Sequence, residues 1–246
     1  MSPAVRVFAS LSGAVSAEAR RARLAEFPDS LSEAEVAALT NFLSVAESRI
    51  PGVAPRDALA LKNEAADVLV ARAPDGSGLA AFFAARFLDS RNSRGWRDYA
   101  LQALPGACLR DRSPASLRLA GNAYAAVFSS PRLRRFRGTA LNGLAALERA
   151  GVPAGGISAE SAALAVLRDP QPDGNAVLTS AALCRERGWT NAVPELRRLA
   201  ASSPSPLVRR AAASALRALA ATNTDERLSA ALPPENNCGE SGALVK

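Results

Sequence analysis

The sequence predicts an all-α chain of about five consecutive helix pairs, and three observations predict it. Of its 246 residues 48% are apolar, chiefly Ala and Leu, against 5% aromatic; Ala and Leu lose little side-chain freedom in a helix. No stretch alternates apolar and polar residues for long, which leaves strands without support. The chain also repeats itself, and a repeat of this length is the signature of stacked helical units.

Five segments align without gaps over nine positions: 61–69 (LKNEAADVL), 96–104 (WRDYALQAL), 136–144 (FRGTALNGL), 177–185 (VLTSAALCR) and 208–216 (VRRAAASAL). The first place is apolar throughout (Leu61, Trp96, Phe136, Val177, Val208), and the fifth is always Ala: Ala65, Ala100, Ala140, Ala181 and Ala212. Places one, five, six, eight and nine share one side of a helix with 3.6 residues per turn. The invariant Ala lets a neighbouring helix approach closely. Units begin 35, 40, 41 and 31 residues apart, the length of a helix–turn–helix pair with variable loops.

Each stripe has a candidate first helix before it, at 32–46, 77–88, 113–128, 158–167 and 192–201. Ser32, Ser113 and Ser158 stand where N-caps are wanted, each followed by an acidic residue or Pro. Pro51 with Gly52, the stretch 170–174, and Pro204 with Pro206 punctuate the pairs.

The stretch 203–219 (SPSPLVRRAAASALRAL) resembles the second half of a HEAT repeat, in which a Pro or Asp turn leads into a VR-x-x-A-x-x-AL helix. The basic residue after the apolar one recurs at Lys62, Arg97, Arg137 and Arg209, and Leu178 departs from it. The resemblance covers roughly residues 31–232. It implies an α-solenoid, a right-handed superhelix of HEAT-like pairs, and usually a scaffold. HEAT-like proteins also include lyases and glycosylases, so fold alone assigns no function. Residues 1–30 read as a lead-in with a capping helix near 16–26, and 233–246 (PPENNCGESGALVK) as a disordered tail.

The net charge is +7, and its distribution matters more than its size. Between Arg86 and Arg137 there are eleven Arg, three Asp and no Glu, whereas the rest of the chain sums to −1. Arg91 and Arg94 fall in the turn of the second pair, and Arg132, Arg134 and Arg135 in the equivalent turn of the third. Equivalent turns of stacked repeats line up along one edge. These five Arg are therefore the candidate partner-binding residues, suited to carboxylate or phosphate. Arg97, Arg137 and Arg209 are expected to bond turn carbonyls or a neighbouring Asp instead. Trp96 and Tyr99 are read as core and its flank, and Asp98 as exposed.

There is no His at all, which removes Ser–His and Cys–His catalysis and His-ligated zinc. Three scattered Cys make neither a disulfide framework nor a tetrathiolate site, and no phosphate-binding Gly loop is present. No catalytic, cofactor or metal residues are assigned. The expectation is a non-enzymatic binding scaffold for a protein partner, in the cytoplasm, with export less favoured. A nucleic-acid module using the Arg edge is the alternative, and a HEAT-like lyase or glycosylase stands third. No apolar run approaches the roughly 20 residues that span a bilayer.

Overall fold

The computed structural model describes the backbone of residues 1–154 and 156–231, and side chains as far as residue 221. The tail expected at 233–246 lies outside the described residues. Those residues contain α-helices and short 3-10 turns and no strand: α1 (Pro3–Ala9), α2 (Ala17–Leu24), α3 (Glu33–Ser44), α4 (Pro55–Arg72), α5 (Leu79–Leu88), α6 (Arg94–Arg110), α7 (Pro114–Ser129), α8 (Arg137–Arg149), α9 (Ala159–Arg168), α10 (Gly174–Arg187), α11 (Val193–Ser202) and α12 (Pro206–Ala231). None of the described helices is long and apolar enough to cross a membrane.

Local chemistry sets the helix ends. Ser32, Ser113, Ser158 and Asp173 each accept a hydrogen bond from the backbone N–H three residues on, satisfying a donor that the first turn leaves free. At α5 no side chain caps the first turn. Gly78, with φ of 72°, turns the chain into Leu79 instead. Helix α10 ends on Gly188 in the left-handed region, and the Trp189 N–H bonds Cys184 O across the turn.

The helices touch in a regular order. The even-numbered ones meet in series, α2 with α4, then α6, α8, α10 and α12. Along the other row α1 meets α3, α5 meets α7 and α9 meets α11, and α3–α4, α5–α6, α9–α10 and α11–α12 pack as pairs. Ala65, Ala100, Ala140, Ala181 and Ala212 all lie buried in the even row.

Unit four sits one residue away from the register drawn above. In α10 the buried side chains are Ala176, Val177, Ser180, Ala181, Leu183 and Cys184, whereas Ala182 and Arg185 are exposed. Ala176 therefore takes the first place, Ser180 the fifth, and Val177 stands where the other units carry a basic residue. Gly138 of α8 faces this position: a Cβ there would stand 3.6 Å from Ala176 Cα, an ordinary contact.

The lead-in contains more than a capping helix. α1 packs on both α2 and α3. Phe8 is fully buried, 5.4 Å from Phe27 and 5.1 Å from Phe42 between ring centroids. The buried guanidinium of Arg20 donates to the carbonyls of Phe8, Ser10 and Val15, ending α1 from a distance.

Candidate partner-binding surface

The basic window divides into arginines used inside the fold and arginines left over. Arg97 donates to Phe87 O at 2.7 Å and lies over the rings of Phe87 and Phe136. Arg137 bridges Asp169 at 2.5 Å and Phe128 O at 3.3 Å, and Arg209 donates to Ser203 O and Pro204 O. These side chains tie α6, α8 and α12 to the end of the helix before each. Lys62 holds the same place in α4, its Nζ 3.3 Å from Glu47. Arg110 reaches Ala71 O.

The five candidates behave differently. Arg91 is 88% exposed, yet it grips Asp89 through two bonds of 2.9 and 3.0 Å. Those side-chain bonds, with the Arg91 N–H, hold the Asp89 carboxyl at about 2. Arg134 leans towards Asp169 at 3.8 Å, and its Nε is buried without a hydrogen-bond partner. Arg94, at the first position of α6, and Arg132 and Arg135, in the 3-10 turn Pro131–Phe136, are exposed. No acidic group among the described residues pairs with these three.

Two clefts gather four of the five. One, of about 230 Å³, opens between α6, α8 and α10 and brings Arg94 and Arg135 together with Asp98, Asn142, Asn175 and Thr179. The second, of about 380 Å³, is lined by Arg132, Arg134 and Arg135 with Gln171 and Asp173 of the following turn. Arg135 borders both, and Arg91 lines neither.

Gly138 makes the first cleft narrow, because a Cβ there would stand 3.3 Å from Thr179 Oγ1. Asp98 is half-buried in this cleft rather than exposed. Its Oδ1 accepts from the Thr139 hydroxyl at 2.7 Å, and its Oδ2 from the Gln102 amide at 3.3 Å. Asn142 and Asn175 are exposed into the same space. Neither amide was singled out in the sequence. The available signal was their place on the outward side of the stripes, and in α10 the displaced register hid it.

The aromatic cluster is structural. Trp96 is wholly buried, and the Tyr99 hydroxyl donates to Asp67 at 2.7 Å across to α4. Cys108 is wholly buried. Burial pushes its thiol up to about 12, as it does that of Cys184, and neither thiol has the character of a nucleophile. No protein-family model, no curated protein and no solved structure matches the chain.

Proposed function

We propose that the chain is a short α-solenoid of HEAT-like helix pairs that acts, without catalysis, as a scaffold for an acidic protein partner. The observation that carries this reading is the division among the arginines. Most of the basic window is consumed by turn carbonyls, aromatic faces and aspartates, whereas Arg94, Arg132 and Arg135, on neighbouring turns, and Arg118, away from them on α7, stay exposed and unpaired among the described residues. A guanidinium with no internal partner costs the fold little and is free for a carboxylate.

The serial contacts of α4, α6, α8, α10 and α12 support the solenoid part, since each unit buries its stripe against its neighbours. A sequence without His supports the non-catalytic part. A reducing compartment such as the cytoplasm belongs to the same proposal, consistent with Cys108 and Cys184 as free thiols.

The test is a pull-down from host extract with the parent chain and with R132S/R134S/R135S, followed by mass spectrometry of what is retained. A companion held by the parent and lost by the triple variant supports the scaffold. In parallel, both chains are titrated with a generic DNA duplex at rising salt. Tight duplex binding, falling steeply with salt and abolished in the variant, would turn the assignment to nucleic acid.

A further inference from the structure

We propose that the cleft between α6, α8 and α10 seats a carboxylate side chain of an extended acidic protein segment, between Arg94 and Arg135, with the amides of Asn142 and Asn175 pairing with that segment's peptide groups. The inference rests on the scaffold reading and names the chemistry of one of its contact points.

Three observations converge on it. Arg94 and Arg135 line one cavity and have no acidic partner among the described residues. Burial pulls the Arg97 pKa down, and the like charge of Arg135 adds to that effect. Within the chain that relation is unfavourable, and an incoming anion between the guanidiniums offsets it. Asn142 and Asn175 have no hydrogen bonds within the fold among the described residues. A side-chain amide offers one acceptor and two donors, which matches a peptide group and is half-wasted on a phosphodiester, which only accepts. The cavity, at about 230 Å³, is smaller than the roughly 300–1,000 Å³ of a whole small-molecule site. It holds one group of a longer ligand.

Charge along the same helical row favours protein over nucleic acid. Glu64 and Asp67 lie on α4, next to α6 in that row. A nucleic-acid strand carries a charge on every nucleotide and meets repulsion at each of these. An acidic polypeptide carries charge only where its sequence places it.

Fluorescence anisotropy tests this with three probes: a peptide alternating Glu and Ser, the same peptide with Gln for Glu, and an oligothymidylate of matching charge. The Glu peptide is expected to bind the full chain best. R94S/R135S should weaken it about tenfold, the loss of two charge-assisted bonds. R6S/R118S, which removes the same charge from exposed sites on α1 and α7, should leave affinity within about twofold at moderate salt. N142A/N175A should weaken both peptides and leave oligothymidylate unaffected. An unchanged melting midpoint for R94S/R135S is the folding control, since neither side chain bonds within the fold.

The proposal is overturned if the Glu peptide does not bind, if the two arginine pairs lose affinity equally, or if oligothymidylate is the tighter ligand and the one lost. A partner captured from extract that ignores R94S/R135S would leave the scaffold standing and remove this cleft.

Discussion

The Lys62 ammonium lies 5.1 Å from the ring centroid of Trp96, and both side chains are wholly buried. Glu47, at 3.3 Å, is its carboxylate partner. Burial pushes the Lys62 pKa down and Glu47 pushes it back up, with burial the larger effect. A buried ion pair is a weak source of stability, but breaking one side of it is costly. E47A should therefore destabilise the chain by about 3 kcal/mol in urea unfolding, and K62M, which leaves Glu47 13% exposed with the Ser93 hydroxyl as its remaining donor, should cost less. K62M/E47A should recover most of the loss. The pH dependence has a definite sign. Because the folded pKa lies below 10.5, the unfolded chain binds the extra proton, and stability rises with pH up to that value. K62M should lose that rise, so the stability difference between it and its parent should grow with pH over that window.

Gly143 and Tyr124 form a second obligate pair. A Cβ on Gly143 would overlap Tyr124 Oη and stand 2.9 Å from Cζ and 3.0 Å from Cε1. Tyr124 is fully buried, and its hydroxyl has no partner. G143A should cost about 1–3 kcal/mol through overpacking. Y124F removes an unsatisfied hydroxyl and should be neutral or stabilising. It should also restore part of the loss in G143A, which thermal melts of the four-member cycle would read directly.

These relationships mark what local sequence carries. The stripes around Ala65, Ala100, Ala140 and Ala212 were legible because helical period and a small fixed residue repeat together. In unit four the apolar run gives two registers one residue apart. The choice between them depends on which side α10 turns towards α8 and α12, which sequence spacing does not reveal. Helix α1 was missed because seven residues make a marginal helix alone, and its end is satisfied by Arg20 from α2. The arginine turns were readable as a group. Their division was not, because it depends on where Asp89 and Asp169 stand in space.

Glu35 links the two ends of that argument. Its carboxylate accepts from the N–H of Ser32 at 2.9 Å, the Ser32 hydroxyl at 2.8 Å and the Ser2 N–H at 2.6 Å, fastening the start of α1 to α3. Those backbone bonds, Ser2 first, hold it at about 2, below its ordinary 4.5. A carboxyl lowered on folding stabilises above its unfolded pKa and loses that contribution as pH falls towards the folded one. Acid unfolding should therefore steepen between pH 4.5 and about 2. E35Q should flatten that limb in a pH series of urea midpoints.

Arg20 predicts where the chain opens first. R20M keeps the apolar stem but leaves the carbonyls of Phe8, Ser10 and Val15 without this donor. Each buried carbonyl left unpaired costs about 1–3 kcal/mol. Hydrogen exchange should show α1 and α2 losing protection together, while α6 and α8, whose bonds do not involve Arg20, keep theirs. Uniform loss across the chain would mean that the first pair is not a separable unit.

Arg135 and Arg137, two residues apart, should respond oppositely to the same change. Arg137 bonds Asp169 and Phe128 O, so R137Q removes charge-assisted contacts and should lower stability by about 2 kcal/mol. Arg135 is exposed, bonds nothing among the described residues, and acts on Arg97 as a like charge. R135Q should leave the melting midpoint unchanged or raise it, while weakening the acidic partner. A side chain whose removal relaxes the fold is retained for something outside it. If R135Q instead destabilised the chain as R137Q does, its guanidinium would belong to the fold and the binding edge would shrink to Arg94 and Arg132.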